Sequence, residues 1–403
     1  MSSGAMHHRF VIVGGGAAGV SVAARLRRSG EDDIAIVEPS PTHYYQPLWT
    51  LVGAGVVSAA STVRREARVL PRGVRWIQDA AAAIDPQHRL VTTRTGARLS
   101  YDFLVVAVGL QLDWHATPGL PEAVADGHVT SNYAIDLAPR TFALLDDFSG
   151  GTALFTGAVG PIKCGGAAQK AAYLSADILH ERGILPSTNV ILATPAPSIF
   201  GIPQFAAPLE RAIARYGIDA RFHHELVEVH GPEREAVFVV HDKDGEHRET
   251  IAYDFLHVVP RQSAPDFLKG GPLAIPDEPD GLVDVDGATL QHRRYPEVFA
   301  LGDCSGAPNA KTGAAVRKQA PVVVQNLGDV AEGREPSARY DGYSSCPIVT
   351  SRGTVVLAEF DYTGEPHPTI PWIDTARERH DMWLLKRYGL PFLYWNLMLR
   401  GLA

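Results

Sequence analysis

The chain is expected to fold as an α/β protein with two Rossmann-like, doubly wound domains and a separate C-terminal segment. Three observations point there. GGGAAG at 14–19 stands between the apolar run FVIV (10–13) and a helical stretch. A second strand–turn–helix pattern begins at TALFTG (152–157). Strand character then returns late, in VFALGDC (298–304), as a discontinuous first domain requires. Short apolar runs without alternation suit parallel strands buried on both faces, and their alternation with helices marks the α/β class.

Taken in order, the helix after GGGAAG runs to about Ser29, and IAIVE (34–38) is the second strand. FLVVAVG (103–109) is another, closed by Gly109. GAAQKAAYLSADILHER (166–182) reads as a helix that stops near Gly183. VILAT (190–194) is the next strand and 206–216 a further helix. HDKDGEHRE (241–249) reads as a solvated hairpin. Strand character over 281–304 leads into a helix from about Lys311 to Val330. EGREPSARYDG (332–342) is a linker, TVVLAEF (354–360) a strand, and the tail from about Thr375 is helical and aromatic, interrupted by Pro391. The expected units are 9–112 together with 271–330, then 113–270, then 331–403.

Composition narrows the function classes. The 403 residues are 45% hydrophobic and 20% charged, as in an ordinary globular protein. A net charge of −8 and a pI near 6.0 argue against a nucleic-acid binder, which carries a basic face. Three scattered cysteines, Cys164, Cys304 and Cys346, with no C-x-x-C, make neither a disulfide scaffold nor a zinc site. The 16 histidines show no metal spacing, so no metal is expected. MSSGAMHHRF leads straight into a strand without the regions of a secretory signal, and no stretch approaches the roughly 20 apolar residues of a spanning helix. Membrane association is therefore expected to be peripheral and the compartment cytoplasmic, where a lasting disulfide is usually catalytic.

Gly14, Gly16 and Gly19 form G-x-G-x-x-G between a strand and a helix. The first glycine permits the tight turn, the second lets the backbone approach a pyrophosphate, and the third allows close helix packing. Glu38 ends the next strand about 20 residues further on, where an acid accepts ribose hydroxyls. FAD rather than NAD is expected from ALGDCSG (300–306). There Gly302 and Asp303 end a strand, with Asp303 placed to bond a ribityl hydroxyl. The following helix aims its start, with Lys311, at the flavin ring. An aspartate in a turn or at an N-cap is the plainer reading of Asp303 alone. The second strand–turn–helix lacks a dinucleotide fingerprint. AVGPIKCGGAAQK (158–170) puts Lys163 and Cys164 where pyrophosphate contacts would form, which counts against NADH as the reductant.

Cys164 precedes a helix and follows Lys163, and both features lower a thiol pKa. The alternative is a cysteine buried as a small hydrophobe. Cys346, in YSSCPIVT, is expected on a loop before Pro347, where chemistry is more common than in cores. Cys304, beside Asp303, is read as structural.

VIVGGGAAG, HYYQPLWT, YDFLVVAVG, PIKCGGAAQK, TLQHRRYPEVFALGDCSGAPNAKTGAAV, YDGYSSCPIVT and FLYWNLMLRG together resemble the type II sulfide:quinone oxidoreductases, flavoproteins of the glutathione-reductase-like fold, over about residues 9–401. The resemblance implies a redox-active bridge between Cys164 and Cys346 beside FAD. Hydrosulfide attacks at Cys346, leaving a persulfide there and a thiolate at Cys164, which passes two electrons to the flavin through a charge-transfer adduct. A small acceptor (glutathione, coenzyme A, sulfite or cyanide) removes the sulfane sulfur, and quinone takes the electrons. Glu122 and Lys170 fall where the family has groups near the sulfur-acceptor site. The lower-pKa thiol, expected to be Cys164, is the better leaving group. Members usually continue beyond the position of Ala403, which bears on membrane docking.

Residues 371–403 hold Trp372, Trp383 and Trp395 among Arg377, Arg379, Lys386, Arg387 and Arg400, a mixture suited to a membrane surface. The alternative is an aromatic helix packed on the core. With no presequence visible, the expected place is the cytoplasmic face of a bacterial membrane. A type II NADH:quinone oxidoreductase, a soluble sulfide dehydrogenase and a non-enzymatic sensor of sulfane sulfur are the rival readings.

Overall fold

A computed structural model describes residues 5–243 and 245–403; Asp244, inside the expected hairpin, lies outside the described residues. The first sheet runs in the order 75–77, 34–37, 6–13, 98–106, then an antiparallel pair at 90–93 and 81–85. Strand Val298–Ala300 joins it in parallel, pairing Phe299 with Val105, so distant sequence does complete this sheet. Met6–Val13 lies between its parallel neighbours with Ile12 opposite both Ile36 and Val105. Phe10, Val11, Ile12 and Val13 are all buried, which is why the run carries no polar alternation.

The glycines of the turn that follows do two different jobs. Gly14 has φ +104°, and a Cβ there would come within 2.3 Å of the Ala107 carbonyl oxygen. A Cβ on Gly19 would fall 1.9 Å from the Gly14 carbonyl oxygen, so helix Ala17–Arg28 touches the strand only because that atom is missing. A Cβ on Gly16 would meet nothing within 4 Å. The first two glycines serve packing and the third faces an open cleft. Gly14→Ala is expected to cost about 1–3 kcal/mol from the backbone conformation alone, with the clash added. Thermal melting and bound-flavin absorbance check this, and a variant with wild-type values of both refutes it.

The second sheet is wholly parallel, in the order 129–130, 255–257, 151–156, 188–193, 219–221. Helix Ala167–Glu181 is buried nearly all round because it lies between this sheet and the C-terminal hairpin. The charged run at 241–249 belongs to an antiparallel hairpin, 235–242 with 245–252. The C-terminal hairpin pairs Ser344–Ser351 with Thr354–Phe360. Cys346 therefore stands in a strand opposite Ala358, and it is buried. This corrects the expected loop: the sequence YSSCPIVT alternates side chains between two neighbours, and Pro347 is accommodated within a two-stranded ribbon, whose strands are both edges.

The tail forms helix His380–Leu384, a π-turn at Leu385–Gly389 and helix Leu390–Asn396. Pro391 does not break it. It takes an opening position of the last helix, where its missing N–H costs nothing. Among the described residues no helix is long and apolar enough to cross a membrane.

Candidate active site

Two adjacent carbonyls bring the distant cysteines together. The Cys164 backbone N–H donates to the Lys311 carbonyl at 2.8 Å. The Ser344 hydroxyl donates to the Ala310 carbonyl at 3.2 Å. The cysteine turn and the cysteine strand are thus pinned side by side against the start of helix Gly313–Ala331. The far end of the hairpin is held too, since Arg352 donates from its backbone to Asp177 of the Lys170 helix at 2.9 Å. Cys164 itself adopts φ +54°, a region a non-glycine residue enters at a cost of about 1–3 kcal/mol. Its carbonyl accepts from the Tyr133 hydroxyl at 3.0 Å, and that bond helps hold the turn.

The thiols are both free and lie within hydrogen-bonding reach of each other. The bond from Cys346 and the nearby Lys170 ammonium hold the Cys164 thiol well below its ordinary pKa, against the opposing effect of burial. Lys170 Nζ donates to Cys164 Sγ at 3.0 Å. The partner thiol of Cys346 is pushed up by the same shared bond and by burial. One proton is shared by the pair; the thiolate is placed on Cys164, which receives the bond from Cys346, while the Lys170 ammonium bonds both sulfurs. Lys163 was expected to help; instead its ammonium lies 5.6 Å over the Trp49 ring and faces the Asp303 carboxylate. Burial brings Lys163 down to about 8.

Sequence reasoning missed a third cation. Lys386, from the tail, is buried, donates to the Pro47 carbonyl at 2.6 Å and adds its field to both thiols. Burial and the neighbouring Lys170 bring it down to about 7, so its charge is present below that pH and fades above it. In LLKRYG it reads as one more surface basic residue, and no local signal sets it apart. Glu122 is exposed on the short helix Leu120–Ala125, which packs through Leu120 and Ala123 beside Val129 and Val229. No contact among the described residues joins it to the thiols.

The residues expected to hold the cofactor form a second cluster. Glu38 accepts from the Gly15 N–H at 2.8 Å and the Ser40 N–H at 2.7 Å, which fixes its carboxylate against the glycine turn. Helix Ala17–Arg28 starts at Gly16 with no side-chain cap, leaving its first N–H groups for an anion. Gly109 (φ +69°) and Gly302 (φ +75°) make the turns after their strands. Asp303 stands between Lys163 and Lys311. The Lys311 ammonium donates to the Ser305 and Ala307 carbonyls at 2.6 and 2.9 Å, so it braces the turn. Cys304 is buried and its thiol is raised to about 11 by burial, in keeping with a structural residue. An uncapped helix start over an open glycine, with a fixed acid beside it, fits a dinucleotide cofactor.

A buried network beyond this cluster was also invisible in the sequence. His43 Nδ1 lies 3.0 Å from Glu66 and its Nε2 lies 2.5 Å from the Tyr394 hydroxyl. It ties the tail to strand Thr42–Tyr44 and helix Glu66–Val69.

Two parallel dinucleotide folds sharing a thiol pair define a class. Residues 8–325 match the pyridine nucleotide-disulphide oxidoreductase family. Within it, the chain is 44% identical over 396 residues to the mitochondrial sulfide:quinone oxidoreductase of Mus musculus, covering 98% of this chain and 87% of that protein. Identity to the corresponding protein of Dictyostelium discoideum is 40%, over 98% and 86% of the two chains. The chain belongs to the sulfide:quinone oxidoreductase family of flavoproteins. The solved sulfide:quinone oxidoreductase of Aquifex aeolicus shares the fold, with a TM-score of 0.80 at 21% identity over 98% of this chain and 92% of that one.

Proposed function

We propose that this protein oxidises hydrosulfide at the Cys164–Cys346 pair and delivers two electrons to quinone. The observation that carries this is the Lys170 ammonium 3.0 Å from Cys164 Sγ, with the Cys346 thiol in contact with the same sulfur. When the pair is bridged, hydrosulfide attacks Cys346 Sγ. A new S–S bond forms there, the Sγ–Sγ bond breaks, and its electron pair leaves on Cys164. Lys170 stabilises that leaving thiolate, which makes Cys164 the better leaving group, and the charges of Lys170 and Lys386 attract the incoming anion.

The cofactor is FAD, cradled by Gly14, Gly16, Gly19, Glu38, Gly109, Gly302 and Asp303, with Lys311 bracing the turn. When bound, it supplies the two-electron relay between thiol chemistry and quinone. The sulfane sulfur left on Cys346 goes to a small acceptor. Anaerobic sulfide is expected to bleach the flavin absorbance fully while NADH leaves it unchanged. Bleaching by NADH alone would move the chain to the NADH:quinone oxidoreductases.

The tail is the proposed membrane face, on the cytoplasmic side of a bacterial membrane. Trp372, Tyr388 and Phe392 are 85%, 59% and 62% exposed, while Trp383 and Tyr394 are buried. The aromatic tail is thus split between a core-packed side and a solvent-facing side suited to headgroups. Replacing Trp372, Tyr388 and Phe392 together by serine is expected to abolish co-sedimentation with anionic lipid vesicles and leave turnover of a water-soluble short-chain quinone intact. Undiminished sedimentation would remove this surface from consideration.

A further inference from the structure

We infer that Glu66 is a second acid of the dinucleotide site, and that through His43 and Tyr394 it makes retention of the cofactor and docking of the C-terminal tail one coupled event. The inference rests on the FAD reading above. It adds an acceptor for the cofactor and two positioning residues that link it to the tail.

Two acids flank one turn. Glu38 accepts one backbone N–H on each carboxylate oxygen, from Gly15 and from Ser40. A Cβ on Gly15 would lie 2.7 Å from Glu38 Cβ and 3.1 Å from Glu66 Oε1, so both side chains crowd the same side of the glycine turn. Burial raises the Glu38 carboxyl above its ordinary pKa, and the nearby Glu66 charge adds to the rise. Glu66 Oε2 lies 3.0 Å from His43 Nδ1. Its Oε1 is buried and has no partner among the described residues, a costly state for a carboxylate. An acid at such a turn accepts a ribose hydroxyl from a bound dinucleotide. The adenosine ribose carries two neighbouring hydroxyls, and two carboxylates stand here to receive them.

The other oxygen of Glu66 belongs to the tail. His43 stands on strand Thr42–Tyr44, which pairs with Val63–Arg65 immediately before Glu66. Its Nε2 lies 2.5 Å from the Tyr394 hydroxyl. The Tyr394 ring packs 4.5 Å from the Tyr45 ring between centroids, and the Arg64 guanidinium lies 4.9 Å over the Trp395 ring. The tail is therefore seated on the same ribbon that carries His43 and leads into Glu66. Glu66, His43 and Tyr394 are all buried, so each has little freedom once its neighbour is fixed. A cofactor that fixes the Glu66 carboxylate leaves His43 one arrangement that keeps both of its bonds, and Tyr394 completes it. A tail that undocks strips His43 of one partner and frees Glu66 to turn from the cofactor. Such coupling is reciprocal. Lys386 precedes Tyr394 on the same helical run, so loading the cofactor also seats the cation that acts on the thiols.

The test follows FAD release from the flavin-loaded full chain after dilution, by free-flavin fluorescence, together with amide hydrogen exchange of the tail. Tyr394→Phe removes only a hydroxyl. Glu66→Gln keeps the shape but leaves one acceptor oxygen where two donors approach from different sides. Each is expected to speed FAD release about fivefold or more, as a coupling between sites does. The double variant is expected to release no faster than the quicker single one, the mark of groups acting in series. Glu66→Gln is also expected to speed exchange in Leu390–Asn396 while the second sheet exchanges at its native rate. Asn396→Ala, exposed on the same helix, is expected to leave release unchanged. Native release from either single variant, multiplied effects in the double variant, or faster exchange throughout the chain would overturn the inference. A wild-type chain that retains no FAD would instead overturn the cofactor reading itself.

Discussion

Cys346→Ala is expected to lower quinone-linked sulfide turnover by about 10³-fold or more, the scale seen when a nucleophilic centre is removed from a site that works as a unit. The folded state has little to lose, because alanine leaves the strand pairing with Ala358 intact and removes only a sulfur. The remaining Cys164 distinguishes chemistry from collapse. Its thiolate is held first by the bond from Cys346 and then by Lys170. In the variant its pKa should therefore rise, with the Lys170 contact still opposing the effect of burial. Rates of iodoacetamide alkylation against pH measure this directly. Cys164→Ala should lose turnover as fully, but its remaining thiol, no longer sharing a proton with a neighbour, should titrate lower than Cys346 does in the native pair. Retained turnover in Cys346→Ala would remove the persulfide site from the mechanism.

Lys170→Met is expected to move the Cys164 thiolate upward by about 1–3 pH units, the usual worth of a charge in contact. The sign follows from the protonated state. A lowered thiol pKa means thiolate is present above it and lost as pH falls through it, so removing the cation withdraws thiolate from the neutral range first. Turnover should fall most near pH 7 and recover toward the native value as pH rises. Methionine keeps the length of the side chain in a wholly buried position, and the Cys164 thiolate left without its cation takes up a proton, so no unpaired buried charge remains. A loss of equal size at every pH would mean that Lys170 does something other than hold the thiolate.

Which parts of this were legible beforehand follows from distance along the chain. The glycine turn, the parallel strands and the helix at 167–181 are local: φ, Cβ clearance and unbroken apolar runs declare themselves within about ten residues. Lys170 came only through resemblance, although its position six residues beyond Cys164, across a turn into a helix, is a local relation in hindsight. Cys346 was misread as a loop residue because a short strand containing proline gives a weak period-two signal, and its burial depends on a helix from another domain. Lys386 and the His43–Glu66–Tyr394 network gave no signal at all.

By itself the amino-acid sequence determined the class of fold, the glycine turn and the missing second fingerprint, since each depends on neighbours in the chain; the pairing of Cys164 with Cys346 came only through resemblance. Tertiary structure alone decided how the pair meets and which cations touch it. The carbonyls of Ala310 and Lys311 set the two cysteine segments side by side. The tail then delivers a buried lysine whose charge acts on both thiols. Electrostatics in a buried site depend on separations of a few ångströms between groups remote in sequence, and no spacing rule along the chain encodes them.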